Sequence, residues 1–414
     1  MTILARFILA SGLTNLADGI SLIAWAWIAS LLTRDPLLIA AVPVALKAPW
    51  FLFSVPAGLI VDRMDRRHLI LLADAARLAA YAGAALAIWA ALPFADPPLR
   101  GLDRPGIFAA IAAFALIVGA AEVLRDNAAQ TILPALVDPA TLERANGRLW
   151  SVEMVANQFA GPSLAGLLLA ASAALPFGVN ALALAVAVGI VARLPGDFTP
   201  GRTDPRPWRH ELAEGWRFLI ASPLLRGLAL LTGFTNFGFE MVMIALILFV
   251  QERLGLGAPA LAAIYASGAA GGVLAGLLSD RIAARLGGVG SLRLGLLSMP
   301  VFPLLILTAD RLWLLCLGFF ISEFFGIVWN TVSVSTRQRA VPRALLGRVN
   351  ALYRLFALGM VPFGMAVSGL VVRAAEPVLG RAQALSMPFW LATVVFVAMI
   401  VAGWGFVGRH LPRR

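Results

Sequence analysis

Residues 58–63 read GLIVDR and residues 276–281 read GLLSDR, 218 positions further along a chain of 414 residues. Each copy closes a long apolar run and ends on an Asp-Arg pair. Other pairs fall in corresponding runs of the two halves. Asn15 and Asp18 fall in the first apolar run, Asn236 and Glu240 in the seventh. LVDPATLERANGRL follows the fourth run and AVPRALLGRVNALY the tenth. A parallel repeat of apolar runs marks a transporter built from two similar bundles.

Composition identifies the solvent. Hydrophobic residues make up 60% of the chain and charged residues 13%, with a mean hydropathy of +0.87. A water-exposed surface needs about 25% charged residues, so most of this surface must face lipid. The apolar runs lie at about 5–32, 37–61, 68–92, 106–130, 148–172, 175–193, 224–250, 259–283, 291–309, 312–335, 349–372 and 386–408. Crossing a bilayer takes about 20 apolar residues. The expected fold is therefore an all-α membrane protein of about twelve transmembrane helices in two six-helix bundles. The first run is too long for the core of a signal peptide and is read as an uncleaved span.

The net charge of +11 would suit nucleic acid, but the Arg residues sit in short clusters between apolar runs and form no single basic face. That is a topology signal. With the N-terminus in the cytoplasm, the inner segments hold 22 Arg and the outer loops 7. This predicts a multi-pass protein of the cell (inner) membrane, both termini cytoplasmic, with lipid and not nucleic acid around it. Residues 194–222 (LPGDFTPGRTDPRPWRHELAEGWRFLIAS) are rich in Pro, Gly and charge, with a short amphipathic stretch from Trp208 to Leu219. They predict a cytoplasmic linker between an N-terminal bundle, 1–193, and a C-terminal bundle, 223–414.

One cysteine, Cys316, excludes an intramolecular disulfide, and His68, His210 and His410 all fall at predicted membrane edges. No metal or cofactor is expected. A P-loop, a zincin His pair and a nucleophile elbow are all missing from the sequence, so neither an enzyme nor a pump driven by its own ATP hydrolysis is expected.

The segment GLIVDRMDRRHLI resembles the signature loop between spans 2 and 3 of the major facilitator superfamily. Gly58, Asp62, Arg63, Arg66 and Arg67 match that loop, and Asp65 stands where its commonest form has Gly. The DRxDRR pattern is similar to the branch holding enterobactin-exporter-like and macrolide-efflux-like proteins, a drug:proton antiporter branch. So are LADGISLIAWAWIASLLTRDPLLIA, AAEVLRDNAAQTILPALVDPATLERANGRL and FAGPSLAGLLLA. The resemblance implies a central cavity lined by spans 1 and 7 and open to each side in turn. Charge pairs at these helix ends make the loop and its second copy, Gly276, Asp280 and Arg281, a candidate conformational latch, the alternative being positive-inside anchoring. Gly161, Pro162 and Gly166 in span 5 resemble the GP-and-G pattern of antiporters, a bend where helices pack closely. Arg125 on span 4 loosely resembles the proton-relay Arg of drug-exporting facilitators.

Ionisable residues inside spans are costly and generally face the bundle interior or a water path. Asp18 lies about midway through span 1, Glu122 in the middle-to-inner part of span 4, Glu323 near the middle of span 10, and Glu240 past the middle of span 7. Loss of water favours a neutral carboxyl, which makes these acids candidates for carrying protons. The alternative is a structural polar contact between helices. Glu122, Arg125 and Asp126 share a helix face, so Arg125 can pair with either acid. Lys47, the only lysine, either snorkels to the outer interface or lines the cavity. Asn15, Asn236, Trp329 and Asn330 are the candidates for contact with a small-molecule substrate. The function expected is proton-coupled efflux of a small amphipathic or hydrophobic compound by a monomer. An importer of a metabolite, or a membrane sensor that keeps the fold, are the alternatives.

Overall fold

The computed structural model describes residues 2–61, 63–133, 136–137, 141–196, 198, 208–309, 311–342 and 345–411, which form helices, turns and loops without a strand. Among them, eleven helical stretches are long and apolar enough to cross a membrane. Span 1 is Ile3–Leu32, span 2 Pro36–Val61, span 3 Arg66–Ala91 and span 4 Pro105–Ile132. Span 5 is Arg144–Ala171, span 6 Leu175–Ala192 and span 7 Pro223–Arg253. Ala258–Thr308 then runs for 51 residues, about twice what a bilayer requires at 1.5 Å per residue. Its continuity breaks at Gly287, where φ is 67°, a left-handed value that glycine adopts without steric cost. That one residue divides the stretch into spans 8 and 9, so twelve spans result. The helix runs on through residues 284–286, where the apolar pattern predicts a loop, because glycine turns the chain without one. Span 10 is Leu312–Ala340, span 11 Arg348–Leu379 and span 12 Arg381–His410.

The helix starts follow local chemistry. Thr2 accepts from the Ala5 N–H at 3.2 Å and Asp65 from the His68 N–H at 2.7 Å. These caps satisfy donors that the first turn leaves free. Spans 4, 6 and 7 begin at or next to a proline, where its missing N–H costs nothing. Outward faces are apolar: Leu182, Val378 and Val401 are exposed. In water this would be a large apolar surface, and in a bilayer it is the solvated face.

The chain divides into two compact units. Unit 1 comprises Met1–Arg202 with Leu256–Ala262, and unit 2 comprises Thr203–Gly255 with Ala263–Arg414. In unit 1, span 1 packs on spans 5 and 6, and span 4 on spans 2 and 3. In unit 2, span 7 packs on spans 11 and 12. The amphipathic helix Trp208–Ala221 belongs to unit 2. Arg348 donates to Glu214 at 2.5 Å, Trp216 stacks on Phe356 at 5.6 Å, and Leu219 packs with Val349 and Leu352, so polar and apolar contacts together hold this helix to span 11.

Candidate functional site: a buried charge chain and a cavity

Span 3 presents two ionisable side chains, one turn apart, to the interior of unit 1. Arg77 is fully buried and Asp74 is 1% exposed. The Arg77 Nη1 donates to Asp74 Oδ1 at 3.3 Å, and its Nη2 donates to Asp18 Oδ1 from span 1. Asp74 Oδ1 is also 4.0 Å from Arg125 Nε of span 4. Arg125 continues the series, donating to Asp126 at 3.2 Å and to the Ser11 hydroxyl at 2.9 Å. Acids and bases thus alternate from Asp18 through Arg77, Asp74 and Arg125 to Asp126 across three spans. Buried charges are tolerated only when paired in this way.

Glu122 stands beside this chain. Arg125 turns away from it to Asp126, and Glu122 meets Lys47 of span 2 at 3.5 Å. Lys47 is 24% exposed and points inward to an acid. Asn15 donates to the Ser11 carbonyl of its own helix at 3.0 Å. Asp74 and Arg77 were not singled out in the sequence, although the criterion that picked Asp18, a charge inside an apolar run, applies to both.

Around Asp18 the backbone is shaped for close approach. A Cβ on Gly161 would run into the backbone of Gly19 and Ile20, so spans 1 and 5 touch main chain to main chain beside the acid. Just upstream, span 5 widens into a π-helical turn at Val155–Ala160. Pro162 has no N–H and its ring crowds the preceding turn, which accounts for the altered helix there. Gly166 lies against Ala262, which falls in the same unit.

Unit 2 holds a cavity of about 380 Å³. The structure gathers Asn236, Glu323, Trp329 and Asn330 around it, with Phe239, Met299, Phe302, Arg337 and Arg354. Among the described residues the Glu323 carboxylate makes no hydrogen bond or ion pair. The Trp329 indole N–H is likewise buried without a partner. Glu240 lies outside the lining but within electrostatic reach of Glu323 and Tyr265. Arg337 donates to Asn350 at 2.7 Å and sits over the Tyr353 ring at 3.9 Å. A space this size, mostly apolar with a few polar groups left open, fits a small organic molecule.

The signature loop is described except for Asp62, which lies outside the described residues. Gly58 lies in the last turns of span 2, and Arg63 is exposed just beyond its end. Arg67 donates to the Leu194 and Ala192 carbonyls at 2.7 and 3.0 Å, tying the start of span 3 to the end of span 6. Asp65 caps span 3 with one oxygen and accepts from the Phe198 N–H with the other at 3.3 Å. The carboxylate therefore has a task that Gly could not perform. Arg66 has a buried Nε without a partner among the described residues. In the second copy, Gly276, Asp280 and Arg281 are exposed on the helix Ala258–Ser298, and Asp280 and Arg281 form no ion pair among the described residues.

Among the described residues no group of three or more His, Cys, Asp or Glu side chains could hold a metal. The Major Facilitator Superfamily model matches residues 7–358. The enterobactin exporter EntS of Citrobacter koseri is 26% identical over 363 residues, covering 85% of this chain and 78% of that protein. The EntS of Shigella boydii is 28% identical over 317 residues, covering 73% and 69%. The fold is also similar to a bacterial homologue of the lysosomal transporter Spinster, with a TM-score of 0.72 and 17% identity over 98% of this chain and 95% of that one. A nucleoside transporter, NupG, gives 0.71 and 14% over 97% and 99%. With the family model spanning most of the chain and the twelve-span fold in agreement, this protein belongs to the major facilitator superfamily of membrane transporters.

Proposed function

We propose that the chain is a proton-coupled exporter of a small amphipathic or hydrophobic compound, such as a drug or a siderophore, working by alternating access. The halves 1–193 and 223–414, joined by the linker 194–222, lie in the cell membrane with both termini cytoplasmic and act as a monomer. The unit 2 cavity takes the substrate, and the acids Asp18, Glu122 and Glu323 carry the protons. Asp62 to Arg67 and the second copy of the motif latch the conformations. The observation that carries the reading is the interior of unit 1. Four buried ionisable side chains, Asp18, Asp74, Arg77 and Arg125, are linked where a packing core would use apolar groups, and such groups inside a membrane mark ion pathways. Similarity to EntS supports export as the direction.

The test is proton-driven transport in liposomes, reading drugs and siderophores under an imposed pH gradient. Asp18→Asn, Glu122→Gln and Glu323→Gln proteins are compared after a check of insertion. At least one should lose accumulation against a gradient while keeping downhill exchange. If all three accumulate substrate at the normal rate, coupling through these acids is wrong. The same assay reads the direction, and uptake in place of efflux would favour an importer of the same fold.

A further inference from the structure

The proposed coupling uses Asp18 and leaves Asp74 and Arg77 without a task. Their geometry suggests one. A single fully buried guanidinium stands between two carboxylates on different spans, and neither contact is complete. Arg77 reaches Asp74 through one nitrogen, at 3.3 Å, and Asp18 through the other terminal nitrogen. The Arg77 Nε–H and the Asp74 Oδ2 are buried, and both lack a hydrogen-bond partner among the described residues. They belong to neighbouring groups that already share one bond. An ion-pair network held only for packing is costly unless its donors and acceptors are used. Here Arg77 and Asp74 each keep one group in reserve, as Arg125 does at its Nε, 4.0 Å from Asp74 Oδ1.

We propose that Arg77 is the internal cation that a proton displaces from Asp18, with Asp74 as the second acid to which it then turns. This rests on the reading of Asp18 as a proton carrier. When Asp18 takes up a proton from water, an O–H bond forms on its carboxyl and the Arg77–Asp18 ion pair breaks. Arg77 keeps its charge and closes a two-bond pair with Asp74, using the Nε–H and Oδ2 that are now idle. Two parallel N–H···O bonds are the strongest arrangement open to an Arg and a carboxylate. The ionic tie between span 1 and span 3 is thereby broken, and the Ser21–Tyr81 hydrogen bond remains as the polar link between them. Loss of the proton reverses each step. Asp74 and Arg77 are positioning residues in this scheme, since the proton never resides on them.

The other charged and titratable groups around Asp18 are already engaged. Lys47 of span 2 and Glu122 of span 4 face it, and they pair with each other at 3.5 Å. Asp126 of span 4 also faces it and accepts from Arg125. Tyr81 of span 3, beside Arg77, shares a hydrogen bond with Ser21 at 2.6 Å. Span 6 presents the neutral Asn180 amide, which donates to the Ala17 carbonyl at 3.1 Å. Span 5 presents backbone carbonyls, and its Glu153 faces Arg125. Arg77 is the cation in direct contact with Asp18.

The measurement is the pH at which proton-driven transport in liposomes is half-maximal, for inserted Asp74→Asn, Arg77→Gln and Arg77→Lys proteins. Asp74→Asn removes the competing acid, so Arg77 holds Asp18 more firmly and the midpoint should fall. Arg77→Gln takes away the cation in direct contact with Asp18, so the charged carboxylate is held less firmly and the midpoint should rise. Each displacement should be about one pH unit or more, and Arg77→Lys should return most of it. Shifts in the same direction, or unmoved midpoints in inserted proteins, overturn the proposal. Should Arg77→Gln fail to insert, Asp74→Asn still decides, because it leaves one acid facing one base. Normal coupling in Asp18→Asn would instead sink the underlying reading. Loss of coupling there with unmoved midpoints in the span 3 variants sinks this inference alone.

Discussion

In unit 1, spans 1, 3 and 4 bury Asp18, Asp74, Arg77 and Arg125 in one linked series. In unit 2, the related position on span 7 belongs to a hydroxyl network, with Arg337 over its Tyr353 ring, beside a cavity. Ser11 and Thr232 lie 221 residues apart, the spacing that also separates Asn15 from Asn236. Ser11 accepts from the Arg125 guanidinium at 2.9 Å. Thr232 shares a hydrogen bond with the Tyr353 hydroxyl at 2.6 Å, which also donates to the Leu228 carbonyl at 3.1 Å. Packing is common to both halves: Gly161 touches the span 1 backbone, and Gly364 of span 11 touches the span 7 backbone at Phe237. The repeat thus preserves where helices meet and varies what is buried between them. Ion pairs demand a partner at a fixed place and make an interior that responds to protons. Hydroxyl bonds beside a void leave room for a guest.

The contrast can be broken first at Arg77. Arg77→Leu leaves Asp18 and Asp74 without their shared cation and should cost about 3–5 kcal/mol, read as thermal unfolding in detergent. If it unfolds no more easily than Tyr353→Phe in unit 2, the charge series is not what holds unit 1 together. The shared packing is tested next. Gly161→Val and Gly364→Val should each cost about 1–3 kcal/mol through overpacking. Sensitivity in only one of them would mean the halves do not use glycine alike. Tyr353→Phe removes one hydroxyl from this network and should cost about 1 kcal/mol, seen as a small drop in melting temperature with transport retained. The smallest effect is expected at Trp329. Trp329→Phe removes a buried N–H without a partner among the described residues, so stability should hold while KM rises roughly three- to tenfold, the worth of one hydrogen bond. An unaltered KM would remove the indole from the substrate site.

Span positions were legible because each helix in lipid must be apolar along its length, whatever its neighbours. The expected depths of Asp18 and Glu122 rest on simple counting at a fixed rise per residue. Their partners did not. Pairing depends on which spans are adjacent and on how each helix is rotated, and neither is written in one run of letters. Lys47 shows the difference: its depth allowed either an interface or a cavity, and the rotation of span 2 brought it to Glu122. Asp74 and Arg77 were readable as charges inside the third run, since an i,i+3 acid–base pair at that depth is a local signal. Asp65 could not be understood locally, because its second oxygen serves Phe198, 133 residues away. The cavity was legible only as single polar or aromatic residues on spans 7 and 10, whose convergence is a property of the folded unit.

The break at Gly287 has a bearing on how the protein is made. Spans 8 and 9 are joined through one left-handed residue inside the helix Ala258–Ser298. A ribosome delivering this segment presents the insertion machinery with a hairpin that has no tether between its arms. The arms should therefore partition into lipid as one hydrophobic object, and a tag of a few residues placed after Gly287 should lower the yield of inserted protein. The same tag within residues 194–222, already a polar connector, should be carried without loss.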